Sequence, residues 1–342
     1  MDIINLEAQQ SKQYCYVFNK SCLKEIWAPE VSVILYIFSA CSVLLTVFGN
    51  FLVIISFSHF RQLHTPSNLL VLSLAVADFF IGGFSMPFEL IKLIENCWYF
   101  GDTFCFLHSF FSFLLTSVSV SNLVLIAFDR YIAVCDPFFY SAKITIPITG
   151  IFIASSWGSS FAYTWALVYF KGVIFTYETI NGCLRDCGGL YTEVWGLVDL
   201  FATFILPCSL MVSLYVKVFI VARRHLKIIN SASEQINKTN KNQGNISKKS
   251  ERKAAKTLGI VISVFLLCWV PYYLCIIINS YTQIQVPFAV YSIFTSVVYF
   301  NSGMNPIIYA LFYPWFQKSL KLIITCRVCS PASSLIRMFP EN

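Results

Sequence analysis

The chain has 342 residues, 57% of them hydrophobic and only 12% charged, where ordinary soluble domains carry about 25% charged residues. That balance excludes a water-facing globular enzyme and requires a bilayer as solvent. The formal net charge of +7 rests on 24 Lys and Arg, whose placement orients the chain and does not indicate nucleic acid.

Within hydrocarbon only a helix or a closed barrel satisfies its own backbone, and a helix needs about 20 apolar residues. Seven runs qualify: 31–57, 67–91, 103–135, 145–170, 191–222, 254–280 and 286–312. Each is much longer than the roughly ten-residue alternating strands of an outer-membrane barrel. The expected fold is an all-α membrane protein, a seven-transmembrane helix bundle. Residues 1–30 precede the first span and carry Asp2, Glu7 and Lys12, unlike the basic start of a cleaved signal peptide. Lys12, Lys20, Lys24, Lys92, Lys171 and Arg185 fall on the N-terminal side of the membrane, which leaves 18 of the 24 basic residues on the other. The positive-inside rule therefore predicts an extracellular N-terminus (1–30), a seven-helix membrane domain (31–325) and a cytoplasmic tail (326–342).

In chain order, Asn19-Lys20-Ser21 is a glycosylation acceptor at Asn19. Of 13 cysteines, Cys15, Cys22, Cys97, Cys105, Cys183 and Cys187 fall outside, where disulfides persist, and the residues alone leave their pairing open. The first span carries Gly49-Asn50. In the second, Asp78 sits at mid-membrane, where an ionised carboxylate costs at least a few kcal/mol without partners. Ser119, Asn301, Ser302 and Asn305 lie at similar depth on other spans. Such oxygen ligands suit a sodium ion; a water-filled polar cluster pinning the helices is the alternative.

The third span ends on Asp129-Arg130-Tyr131, which alone reads as a surface ion pair of little worth. Trp157 lies in the fourth span and Pro207 in the fifth. Residues 223–253 hold nine Lys and Arg among Asn and Ser, and read as a flexible basic loop against an anionic inner leaflet. In the sixth, Phe265-Leu266-Leu267-Cys268-Trp269-Val270-Pro271 places a proline that removes a backbone hydrogen bond and makes a kink. Asn305-Pro306-Ile307-Ile308-Tyr309 does the same in the seventh. Residues 315–324 form a short amphipathic cytoplasmic helix. Cys326 and Cys329 follow it as palmitoylation candidates, with unmodified thiols as the alternative.

Together Gly49-Asn50, Leu74-Ala75-Val76-Ala77-Asp78, Cys105, Asp129-Arg130-Tyr131, Trp157, Pro207, Cys268-Trp269-Val270-Pro271 and Asn305-Pro306 through Tyr309 resemble a rhodopsin-like G protein-coupled receptor over residues 31–325. Within that class, residues 301–316 are similar to the signature of trace amine-associated receptors, as are residues 59–66, 97–101 and 250–259 and the paired Cys183 and Cys187. The resemblance implies disulfides Cys105–Cys187, Cys15–Cys183 and Cys22–Cys97. It implies roles for Asp129, Arg130, Tyr131, Phe265, Pro271, Pro306 and Tyr309 in activation and G protein contact. It also implies signalling through a stimulatory, cAMP-raising G protein at the plasma membrane of olfactory neurons.

One departure stands out. Aminergic receptors hold the ligand ammonium with an Asp in the third span, about five turns above the Arg of the triplet, and that position here is Ser112. The fifth span instead carries Asp199, eight residues or about 12 Å before Pro207. Some fish members of the family resemble this arrangement. Asp199 is the expected amine anchor; its alternative is a hydrogen bond to a neighbouring helix or to water. Ser112, Phe113, Thr116, Thr203, Trp269, Tyr272, Tyr273 and Tyr299 are the expected remainder of the ligand pocket, the rings attracting a cation through their faces. A receptor of the same fold for a non-cationic ligand is the runner-up. A secondary transporter would share midplane acids and broken helices but would bring internal repeats. His59, His64, His108 and His225 are scattered with no nucleophile–base pair or metal spacing, which argues against an enzyme.

Overall fold

The computed structural model describes residue 15 and residues 27–95, 97–170, 173–174, 187, 190–191, 193–235, 241–282, 284, 286–329, 333–336 and 338. Asn19, Cys22 and Cys183 lie outside the described residues. The first span is α1 (Pro29–His59). The second comprises α2 (Pro66–Phe80), a π-helical turn (Ile81–Ser85) and α3 (Met86–Glu95). α4 (Asp102–Cys135) is the third, and α5 (Pro137–Lys143) leads into α6 (Ile146–Tyr169), the fourth. β1 (Val173–Ile174) and β2 (Leu190–Tyr191) form a two-stranded antiparallel ladder pairing Val173 with Tyr191. The fifth span is α7 (Glu193–Asp199), a second π turn (Leu200–Ile205) and α8 (Leu206–Gln235). α9 (Lys241–Tyr281), α10 (Phe288–Phe312) and the short α11 (Pro314–Ile324) complete the chain.

Local chemistry sets the helix starts. Thr65 accepts a 3.3 Å hydrogen bond from the Asn68 N–H and Asp136 a 3.0 Å bond from the Phe139 N–H, each satisfying one orphan donor of a helix whose first residue is proline. Five helices are long and apolar enough to cross a membrane, and a sixth follows if α5 and α6, bent by 89° at their junction, count as one span. α10 falls below that mark because Asn301, Ser302 and Asn305 lie in its inner half. It is nonetheless enclosed, packing between α9 and α1.

The helices form a closed ring, α1 on α2, α2 on α4, α4 on α8, α8 on α9 and α10 on both α9 and α1, with α6 behind α4 and α2. Burial is inverted relative to a soluble bundle. α1 buries Ser42, Thr46, Asn50, Val53 and Ser56 and exposes Ile34, Ile37 and Phe48, as expected where lipid is as apolar as leucine and small residues permit close backbone approach. Apolar packing concentrates in the middle, where Leu74, Val120, Leu123 and Ala127 meet Met211, Phe265, Trp269 and Tyr273.

Three features differ from the sequence reading. The basic segment 223–253 is mostly helical: α8 runs on to Gln235 and α9 begins at Lys241, in keeping with its Lys, Arg, Ala and Glu content. π turns interrupt the second and fifth spans, and the second lies directly after Asp199. Cys105 is bonded to Cys187 with Cα atoms 5.7 Å apart, but Cys15 is bonded to Cys97 with Cα atoms 5.6 Å apart. The latter bond corrects both expected minor pairs, Cys15–Cys183 and Cys22–Cys97. Its physical reason is proximity: Cys97 is buried and Cys15 lies within bonding reach of it.

Candidate functional site

Asp199 ends α7 and is only 8% exposed. A carboxylate at that depth requires donors, and the fourth span supplies one: the Tyr163 hydroxyl donates a 2.7 Å hydrogen bond to Asp199 Oδ1. One turn on, Thr203 donates to the Asp199 carbonyl at 2.7 Å and lies 2.6 Å from the Tyr273 hydroxyl. Threonine has one proton, already given to the carbonyl, so Tyr273 donates to Thr203. The wall continues through rings: Tyr273 stacks on Phe204 at 4.6 Å and on Trp269 at 5.9 Å, and its neighbour Tyr272 lies 6.0 Å from Tyr291 of the seventh span. Tyr272 stands within electrostatic reach of Asp199, Tyr291 and Tyr299, which joins the fifth, sixth and seventh spans around one space.

The sequence-predicted pocket residues therefore assemble in part. Asp199, Thr203, Tyr273, Tyr272 and Trp269 form one continuous wall. Ser112 is buried beside Tyr299. The Trp269 indole N–H is buried without a partner among the described residues, a free donor at the floor of the wall. Phe113 and Thr116 are half-buried on the third span. Tyr163 was not anticipated. Its signal was available: an intramembrane acid needs a donor, and Tyr163 is a hydroxyl-tipped ring in the adjacent span.

Deeper in the bundle, Asp78 is fully buried and accepts from Ser119 at 2.9 Å and from the Asn305 amide at 2.7 Å. Asn50 donates to the Ser302 carbonyl at 3.2 Å, while its own Oδ1 has no partner among the described residues. Asn301 is buried at the same level. This donor set of carboxylate, hydroxyl and amide oxygens fits a hard monovalent cation, and the orphaned Asn50 oxygen marks unused acceptor capacity beside it.

At the end of the bundle where α4 closes, Arg130 Nε donates to Asp129 Oδ2 at 2.9 Å. Asp129 also accepts from Ser67 at 2.8 Å and from Tyr140 of α5 at 2.9 Å, and Arg130 donates to Ser67 as well. The carboxylate is thereby held by three side chains from three elements, two of which the sequence did not reveal. Tyr131 lies under Lys217 of α8 at 5.8 Å. Pro271 and Pro306 sit inside α9 and α10, and Tyr309 is buried between Tyr313 and Phe316.

Residues 49–309 match the rhodopsin family of 7 transmembrane receptors. The chain is 42% identical to trace amine-associated receptor 13c of Danio rerio over 99% of both chains. It is 40% identical to trace amine-associated receptor 6 of Homo sapiens over 96% of each, and 36% identical to trace amine-associated receptor 1 of Macaca mulatta over 96% of this chain and 99% of that one. A multi-pass bundle with a proline inside its sixth and seventh spans and a restrained Asp-Arg-Tyr triplet is thus accompanied by near full-length likeness to receptors, not enzymes. The chain belongs to the rhodopsin family of seven-transmembrane receptors, among the trace amine-associated receptors.

Proposed function

We propose that this protein is a receptor for amines at the plasma membrane, N-terminus outside, that couples to a stimulatory G protein and raises cAMP in olfactory neurons, and that Asp199 anchors the ligand ammonium. The observation that carries the reading is the buried Asp199 carboxylate, oriented by Tyr163 within a wall of Thr203, Tyr272 and Tyr273, while the third-span position is Ser112. A cation placed there meets one negative charge and several ring faces, each worth about 0.5–2 kcal/mol. The names of its relatives, trace amine-associated receptors, support an amine as ligand class.

The contacts also suggest how binding reaches the opposite face. Trp269 stacks on Tyr273 above and on Phe265 below, so a ligand that displaces Tyr273 acts on the helix kinked at Pro271. It shifts the equilibrium only as far as it binds the two states unequally. A sodium ion held by Asp78, Ser119, Asn301, Ser302 and Asn305 would supply positive charge that favours one arrangement of these helices.

The Tyr163 bond equally suits an acid that only pins the fourth span to the fifth, with a non-cationic ligand. A panel of amines and their uncharged isosteres, read by cAMP in transfected cells, separates the two: amines alone should respond, and equal responses to the isosteres contradict the anchor.

A further inference from the structure

At the end of the bundle opposite Asp129 and Arg130, an acid is set among aromatic side chains. Glu95 is the last residue of α3 and is half-buried. Its Oε1 accepts a hydrogen bond from the Tyr36 hydroxyl of α1, and its Oε2 accepts one of 3.2 Å from the Tyr99 hydroxyl. One residue earlier, the Ile94 carbonyl accepts a 3.0 Å bond from the indole N–H of Trp27, just ahead of α1. Rings from three places in the chain thus meet the end of α3. Two of them stay open, Tyr36 at 38% and Tyr99 at 42% exposed. Tyr36 shares its face of α1 with Val33, Ile37 and Leu44, all exposed and apolar, so its ring belongs to the lipid-facing side of the bundle.

Depth identifies what surrounds this acid. Glu95 follows Asp78, the mid-membrane acid, by 17 residues, or about 25 Å along the helix. Hydrocarbon ends about 15 Å from the midplane and headgroups reach to about 20–22 Å, so the carboxylate stands at the headgroups, the level at which Trp and Tyr concentrate. Both of its oxygens already accept a phenol proton. What the cluster has left to offer is negative charge and open ring faces, which best suit a cation with no N–H to satisfy; aromatic cages recognise quaternary ammonium in this way. A primary ammonium brings three donors and must compete with the phenols for the same oxygens. We infer that Glu95, Tyr36 and Tyr99 form a binding site for a quaternary ammonium, the choline headgroup of a membrane phospholipid. A headgroup held there joins the ends of the first and second spans to the leaflet. The site stands on other spans than the Asp199 wall, and the inference holds whatever ligand that wall takes.

The test uses the full-length receptor, immobilised in detergent and equilibrated with equal amounts of dioleoyl phosphatidylcholine and dioleoyl phosphatidylethanolamine, two lipids of the same net charge. After washing, bound lipid is extracted and quantified by mass spectrometry. The wild type should retain the choline lipid over the ethanolamine lipid by about five- to tenfold, the scale of one charge and two ring faces at an exposed site. Glu95→Gln keeps an acceptor for Tyr36 and removes the charge, and its ratio should fall to within about twofold of one. Tyr36→Leu combined with Tyr99→Leu should do the same by removing the rings. Because the readout is a ratio within one sample, partial loss of folded receptor does not move it. If Glu95 only ties α1 to α3, the wild type shows no preference or the variants keep it, and either result overturns the site. Dissolved tetramethylammonium should displace the choline lipid from the wild type, and butylamine at equal concentration should not. Displacement by butylamine as well would assign the cluster to free amines and overturn the headgroup.

Discussion

Tyr163 and Asp199 join the fourth and fifth spans through one 2.7 Å hydrogen bond, phenol to carboxylate. The bond fixes one oxygen of the acid against the fourth span and so restricts the orientation of the carboxylate. Tyr163→Phe keeps the ring and removes the donor. Since a hydrogen bond is worth about 0.5–1.5 kcal/mol net, amine potency should fall about three- to tenfold with surface expression intact. Dose–response curves for cAMP measure it; unchanged potency would mean that Tyr163 does not position the acid.

At the other end of the bundle, Asp129 is held by Arg130, Ser67 and Tyr140. Tyr140→Phe removes the 2.9 Å bond from α5. It should raise ligand-independent cAMP by roughly two- to tenfold, because about 0.5–1.5 kcal/mol of restraint on the resting state is lost. Basal signalling at wild-type level, at equal surface expression, would show that Tyr140 restrains nothing.

Gly49 lies at one of the close approaches of α1 and α10. A Cβ there would stand 2.8 Å from the ring of Pro306, closer than any side chain tolerates, and neither neighbour is a flexible chain end. Gly49→Val should therefore part the two helices and cost about 1–3 kcal/mol by overpacking, seen as a lower melting temperature of purified receptor and reduced surface expression. A thermal midpoint equal to wild type would mean that α10 shifts freely, contrary to its enclosed position.

For sodium, the account expects a cation held by Asp78 and its neighbours to lower agonist affinity. Asp78→Asn should remove the dependence. Binding isotherms in sodium and in an impermeant organic cation decide it. Equal sodium sensitivity in wild type and variant would leave Asp78 as a helix-pinning acid, bonded to Ser119 and Asn305.

Hydropathy made the spans legible, because a bilayer leaves the backbone few alternatives; membrane cost singled out Asp78, and Ser112 in place of the third-span acid directed attention to Asp199. The prolines that lie inside the sixth and seventh spans, Pro271 and Pro306, were legible as well. The π turns at Ile81–Ser85 and Leu200–Ile205 were not, since widening one turn of a helix leaves hydropathy unchanged. Cysteine spacing places Cys15 and Cys97 on one side of the membrane and says nothing of which partner each meets. Ser67, Tyr140 and Tyr163 escaped notice for a related reason: a hydroxyl has meaning only beside the carboxylate it reaches, and that neighbour belongs to another helix.

The central claim is that Asp199 carries the ammonium. Coulomb attraction at 4 Å is about 4 kcal/mol at an effective dielectric near 20, so even after desolvation its loss should cost on the order of tenfold to several hundredfold in potency. The direct measurement is the cAMP response of Asp199→Asn to amines at matched surface expression, beside Asp199→Glu and the double change Ser112→Asp with Asp199→Asn. The account predicts loss or a strong right shift in the first, partial retention in the second, and in the third a shifted preference among amines. Full amine potency in a normally expressed Asp199→Asn receptor would contradict it.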